Sequence, residues 1–142
     1  MIEQTTRYGI SITVDLDYER AVERTKQELS KEGFGVLSEI DIAATLKKKL
    51  DVEFRPYVIL GACNPPLAHR ALIAERDLGL LLPCNVVVYA ADENGKSVIA
   101  AMDPEAALEL TGNPEVREVA REVRARLERV LNGVAEGHGG GV

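Results

Sequence analysis

Residues 86–102, which read VVVYAADENGKSVIAAM, contain a strong signal for two paired strands. Apolar residues begin and end this stretch, and Asn94-Gly95 lies between them. An Asn-Gly pair in this position is a strong signal for a two-residue hairpin turn, and strands joined by such a turn are antiparallel. The stretch therefore predicts a β-hairpin whose strands cover residues 86–89 and 97–102.

Three earlier segments also predict strands. Apolar residues alternate with small or polar ones over residues 8–14, as expected of a half-buried strand. A short candidate strand covers residues 36–40, and an apolar strand covers residues 57–62. The predicted strands come in adjacent pairs and do not alternate singly with helices.

Helix signals separate these groups of strands. Asp15 and Asp17 are candidate N-caps for the first helix, and Asp41 is the candidate N-cap for the second. Pro104 and Pro114 stand at the first helical position of the last two helices. The pattern indicates an α+β domain with a mainly antiparallel sheet and helices packed on one face.

The length and the glycine content of the chain predict its domain boundaries. A chain of 142 residues most simply forms a single domain. We expect this domain to cover residues 1–133. The glycine-rich residues 134–142 are expected to be a disordered tail.

The last predicted helix has apolar residues at heptad spacing, namely Val116, Ala120, Val123, Leu127 and Val130. The pattern covers about two heptads, fewer than the three or four that indicate a coiled coil. It predicts a helix that packs on the sheet. A dimer-forming helix is the alternative.

Charge and hydrophobicity argue against several classes of function. The formal net charge is −6 and the pI is near 5.0, whereas a nucleic-acid binder usually has a basic face. No apolar run approaches the roughly 20 residues needed to span a bilayer. The first residues lack a signal-peptide pattern, and two cysteines fit a reducing compartment. We expect a cytoplasmic protein with no nucleic-acid or membrane partner.

The chemically versatile residues are the two cysteines, each followed by asparagine, in Cys63-Asn64-Pro65 and Pro83-Cys84-Asn85. Asn64 and Pro65 predict a helix start, which places Cys63 near the positive end of a helix, where a thiol pKa can fall. Pro83 marks an edge, a bulge or a strand start, which would turn Cys84 and Asn85 toward a pocket. Each cysteine can instead be a buried apolar residue, and that alternative stays open.

A metal site has few candidate ligands. His69 follows Cys63 in the predicted helix, but the spacing of Cys63, His69 and Cys84 matches no CxxC or HxxxH pattern. A four-ligand zinc site needs a further ligand. The sequence also lacks nucleotide-binding motifs such as GxGxxG. We expect neither a metal nor a cofactor.

Four segments together resemble the uncharacterised family called Domain of Unknown Function 302: Tyr8-Gly9-Ile10, Gly33-Phe34-Gly35-Val36-Leu37, Gly61-Ala62-Cys63-Asn64-Pro65 and Leu82-Pro83-Cys84-Asn85-Val86. The resemblance runs from about residue 8 to residue 131. It implies a curved antiparallel sheet with helices on one side, similar to TATA-binding-protein-like folds, and a homodimer. The family has no established activity, so the resemblance implies no catalytic roles.

These observations lead to one main hypothesis and two alternatives. The main hypothesis is a homodimeric small-molecule-binding module whose cleft is lined by Cys63, Asn64, Cys84 and Asn85, with the two amides orienting a polar ligand. The first alternative is a thiol-dependent redox protein or enzyme, with Cys63 as the candidate catalytic nucleophile and Cys84 as its partner. The second is a structural or interaction protein that binds no ligand.

Overall fold

The computed structural model describes the backbone of residues 2–139 and the side chains of residues 2–136. Its centre is a single open sheet of five strands in the order β1-β5-β4-β3-β2, with every neighbouring pair antiparallel. The strands are β1 (Gly9–Val14), β2 (Gly35–Asp41), β3 (Tyr57–Cys63), β4 (Cys84–Ala90) and β5 (Ser97–Met102). The predicted α+β class with a mainly antiparallel sheet is confirmed.

Within the described residues, three α-helices lie between strands, namely α1 (Tyr18–Lys31), α2 (Ile42–Leu50) and α3 (Pro65–Ala74). Two more follow β5, namely α4 (Pro104–Leu108) and α5 (Pro114–Gly139). Asp17 caps α1 by accepting a hydrogen bond from the backbone N–H of Arg20, and Asp41 caps α2 in the same way through Ala44. The predicted helix starts are therefore confirmed, with Asp17 as the cap of α1.

The predicted hairpin forms, but residues 91–96 connect its strands, so the connection is longer than the predicted two-residue turn. β4 and β5 pair from Val86 opposite Ala101 to Ala90 opposite Ser97. Gly95 in the turn has a φ of 80°, a left-handed conformation that glycine adopts without strain. The Asn-Gly signal located the turn because a turn depends on local backbone conformation, but it did not give the length of the connection.

The core lies between the sheet and α5, with α1, α3 and α4 packed around that helix. Alternate strand residues such as Ile12, Leu60, Val88 and Ile99 point into it and are almost fully buried. The heptad-spaced residues Val116, Ala120, Val123, Leu127 and Val130 of α5 are buried there as well. Packing on the sheet is confirmed, and these residues are not available for a dimer-forming helix.

Two of the places where the structure differs from the predicted boundaries lie in its helices. Helix α5 continues to Gly139, and Val134 is fully buried in the core, so the domain extends past the predicted end at residue 133. Residues 140–142 of the predicted disordered tail lie outside the described residues. The second difference is a 3-10 helix, Arg76–Leu81, which the sequence did not predict.

Helix α2 is poorly packed within the single chain. None of its residues is buried, and Leu50 at its end is 65% exposed. Other exposed large apolar residues lie nearby in the sequence, namely Leu37, Ile40, Val52 and Phe54. We call residues 37–54 the β2–α2 surface.

In the described part of the chain, no helix is long and apolar enough to cross a bilayer.

Candidate functional site

A cavity of about 390 Å³ lies where the ends of β3 and β4 meet helices α3 and α5. Cys63 and Cys84 both line it. Cys63 is the last residue of β3 and is half-buried, whereas Cys84 is the first residue of β4 and is only 7% exposed. Ala62, next to Cys63, is the cross-strand partner of Cys84, so the two cysteines are diagonal neighbours on adjacent strands. Both are free thiols.

The rest of the lining is almost entirely apolar. The buried wall consists of Phe34, Ala62, Ala71, Leu78, Leu108, Val119 and Val123. Exposed Leu37 and Leu72 stand at the edge. Leu37 reaches this position because the pairing of β2 with β3 is irregular between Val36 and Ser38, which turns the side chain of the extra residue.

Asn64 lies at the cavity, but its amide is engaged within the protein. Its Oδ1 accepts a hydrogen bond from the backbone N–H of Leu67 at 3.4 Å, and it is the predicted N-cap of α3. Its Nδ2 donates to the backbone oxygen of Glu32 at 3.2 Å, just after α1 ends. With only 7% of Asn64 exposed, its amide joins two helices and is poorly placed to orient a ligand.

Asn85 is not brought to this cavity. It follows Cys84 in β4, and successive residues of a strand point to opposite faces of the sheet. Cys84 points into the core, so Asn85 is exposed on the other face, where it lines a separate depression. The structure therefore brings Cys63, Asn64 and Cys84 together but separates Asn85 from them.

The environment of Cys84 disfavours its thiolate. Burial, and to a lesser degree the neighbouring Cys63, raises the pKa of the Cys84 thiol from 9.0 to about 11. Cys84 is therefore a protonated thiol at neutral pH. It contributes a soft, weakly polar surface to the cavity, and it is a poor nucleophile or metal ligand there.

The candidate metal ligand His69 lies on the exposed side of α3 and does not line the cavity. Among the described residues, no group of three or more histidine, cysteine, aspartate or glutamate side chains could hold a metal ion. The chemistry available at the cavity is that of thiols and hydrocarbon surface.

Sequence reasoning missed most of the lining residues. They come from segments far apart in the chain, so no local pattern connects Phe34 with Leu108 or Val123. One signal was present: Ala68 and Ala71 lie on the inner side of α3, where small side chains leave room beside the sheet. The cavity depends on the small size of these two side chains.

Together these features define a two-layer α+β domain with an apolar, thiol-containing cavity. The chain belongs to the family "Domain of unknown function DUF302", whose sequence profile matches residues 10–134. The crystal structure of an uncharacterized conserved DUF302 protein from Bacillus stearothermophilus has the same fold. Its TM-score is 0.82 at 32% identity, over 91% of this chain and 99% of that chain. No curated protein matches the chain.

Proposed function

We propose that this chain is a homodimeric module that binds a small, apolar molecule in the cavity beside Cys63 and Cys84. The observation that carries the proposal is the lining: about 390 Å³ of space is lined almost wholly by aliphatic, aromatic and thiol groups. Binding sites for small molecules commonly have volumes of roughly 300–1,000 Å³ and mainly apolar walls.

The absence of charged side chains in the lining limits the chemical class of the ligand further. None of the lining residues is charged, and the only amide, that of Asn64, is hydrogen-bonded within the protein. A charged ligand would lose its hydration without gaining a partner, which is costly. This favours a neutral, apolar ligand over the polar ligand expected from the two asparagines.

The proposal predicts that filling the cavity removes binding. We expect Ala68→Leu, on the half-buried side of α3, to weaken binding of the neutral dye N-phenyl-1-naphthylamine roughly tenfold or more. The reason is that added side-chain volume competes with the ligand for the same space. Fluorescence titration under reducing conditions measures this.

The matched control is Ala106→Leu, the same change at an exposed position of α4. It should leave dye affinity unchanged. Equal affinity of both variants and the parent protein, or no saturable binding by the parent, would refute the cavity proposal.

A thiol-dependent redox protein or enzyme remains the alternative, with Cys63 as the reacting group. It is favoured by the position of Cys63 at the cavity wall and disfavoured by the raised pKa of Cys84, which weakens any role of Cys84 as a resolving thiol.

Free thiols at both positions also support our proposal of a cytoplasmic location, which fractionation of cells expressing the protein would check. If the dye does not bind, the result favours the second alternative, a structural or interaction protein that binds no ligand.

The homodimer part of the proposal is supported by the β2–α2 surface. Five of the exposed large apolar residues fall within residues 37–54, and α2 has no buried residue. Exposed apolar residues concentrated in one segment are typical of an interaction site.

Sedimentation velocity tests the dimer separately from ligand binding. We expect the parent protein to sediment as a dimer and Leu50→Glu as a monomer, because a carboxylate would be buried unpaired at the interface. Leu110→Glu changes a similarly exposed leucine outside this surface and should remain dimeric. A monomeric parent protein would rule out the dimer and leave the cavity proposal untouched.

A further inference from the structure

We propose that a second binding site lies on the sheet face turned away from α1 and α5, and that it takes a neutral, planar heteroaromatic molecule. The site is a depression of about 370 Å³. We call it the tyrosine site, after Tyr8, Tyr57 and Tyr89, which line it with Ser11 and Asn85. It is separate from the cavity that holds the cysteines.

The aromatic residues of the chain are concentrated here. The chain has four tyrosines, two phenylalanines and no tryptophan, yet three of the four tyrosines line this one depression. Tyr57 and Tyr89 are cross-strand partners with stacked rings, their centroids 5.1 Å apart and their planes 6° apart. Burial raises the pKa of Tyr57, and Tyr89 and Tyr8 raise it further, in keeping with three phenol groups close together.

The ring geometry suits a flat ligand. Aromatic rings bind one another best in offset-stacked or edge-to-face arrangements. Tyr57 and Tyr89 form a parallel pair, and Tyr8 is 68% exposed beside them, so its ring is open to contact. A planar molecule can lie against this group without reorganising the sheet below it.

The charge of the site excludes anions. Although 28% of the chain is charged, every residue that lines the depression is uncharged. An anion would find no cationic side chain there and would be repelled by the net charge of −6. A cation would find no carboxylate to offset its lost hydration. The lining of the depression therefore favours a neutral ligand.

Polar groups at the depression indicate a heteroatom in the ligand. Asn85 is exposed and offers both a donor and an acceptor, and Ser11 adds a hydroxyl. These groups lie among Val87, Ala100 and Met102, so the surface combines apolar contact with a few fixed polar positions. Such a combination orients a ring that carries an N–H or a ring nitrogen.

Indole is a suitable probe because it is neutral, planar and carries one N–H. We expect saturable binding at one site per chain, with ¹H–¹⁵N chemical-shift changes at the Asn85 side-chain amide and at the backbone of Ser11 and Tyr57. Tyr89→Leu should weaken binding about tenfold through loss of one ring contact. Tyr18→Phe alters the one tyrosine outside the site and should leave the affinity unchanged.

Asn85→Ala provides a second variant at an exposed position, where folding is not at risk. It should weaken indole binding severalfold while leaving dye binding in the cavity intact. Three results would overturn the proposal: no saturation by indole, shift changes centred on Cys63 and Cys84, or an affinity indifferent to Tyr89→Leu and Asn85→Ala. A dimer that buries Tyr8 and Asn85 would also overturn it, because a second copy would then occupy the face.

Discussion

Replacing Arg124 with methionine is expected to lower the free energy of unfolding by about 3 kcal/mol. Arg124 on α5 donates through Nη1 to Oδ2 of Asp103 at 2.6 Å. Asp103 is only 3% exposed, and its Oδ1 accepts from the backbone N–H of Glu105 at the start of α4. Without the guanidinium, a buried carboxylate would lose its charged partner, and such unpaired charges are strongly destabilising.

The prediction concerns the site because this ion pair joins two elements that line the cavity. α4 supplies Leu108, and α5 supplies Val119 and Val123. Urea unfolding followed by circular dichroism measures the effect. Arg121→Met, at an exposed position of the same helix, should change stability by less than about 0.5 kcal/mol.

A double variant separates the buried charge from lost packing. Asp103→Asn combined with Arg124→Met removes the charge while keeping a side-chain oxygen that can cap α4. It should recover most of the stability lost in Arg124→Met. If Arg124→Met is as stable as Arg121→Met, the ion pair does not hold α4 to α5.

Stability is also expected to fall steeply between pH 9 and pH 11 because of Cys84. Its pKa is raised from 9.0 to about 11 by burial, so in this window the unfolded chain loses the thiol proton while the folded chain keeps it. The unfolded state then binds fewer protons, and the free energy of unfolding decreases as pH rises. Two pKa units correspond to about 2–3 kcal/mol, fully present below pH 9 and lost by about pH 11.

Comparison of variants isolates this effect from other groups that titrate in the same range, such as the tyrosines. Cys84→Ala should show a decline shallower by about 2–3 kcal/mol over the window, whereas Cys63→Ala should keep most of the steep decline. The absolute stability of Cys84→Ala does not matter, because only the slopes are compared. Equal slopes in Cys84→Ala and the parent protein would mean that Cys84 is not the buried thiol described here.

The local features of the fold could be predicted from sequence because each depends on a few neighbouring residues. Asn94-Gly95 sets the turn of the β4–β5 hairpin, and Asp17, Asp41 and Asn64 cap helices through bonds within three residues. The family could be identified in the same way, from short segments along the chain. These features can be predicted without knowing how distant segments of the chain pack together.

The candidate site could be predicted only in part. Cys63 and Cys84 lie at one cavity, but the break expected at Pro83 gave no indication that β4 already begins at Cys84. Strand alternation therefore applies at once and carries Asn85 to the other face. The apolar lining comes from helices distant in sequence, and a volume left empty between them has no local sequence pattern.

The proposed function requires that an apolar molecule bind in the cavity beside the cysteines. The most direct test is the rate at which iodoacetamide alkylates Cys63 in Cys84→Ala, with and without N-phenyl-1-naphthylamine at ten times its dissociation constant. If the dye binds at the cavity wall formed by Cys63, the rate should fall about tenfold, the factor set by site occupancy. An unchanged rate with the dye fully bound would place the dye elsewhere and contradict the claim.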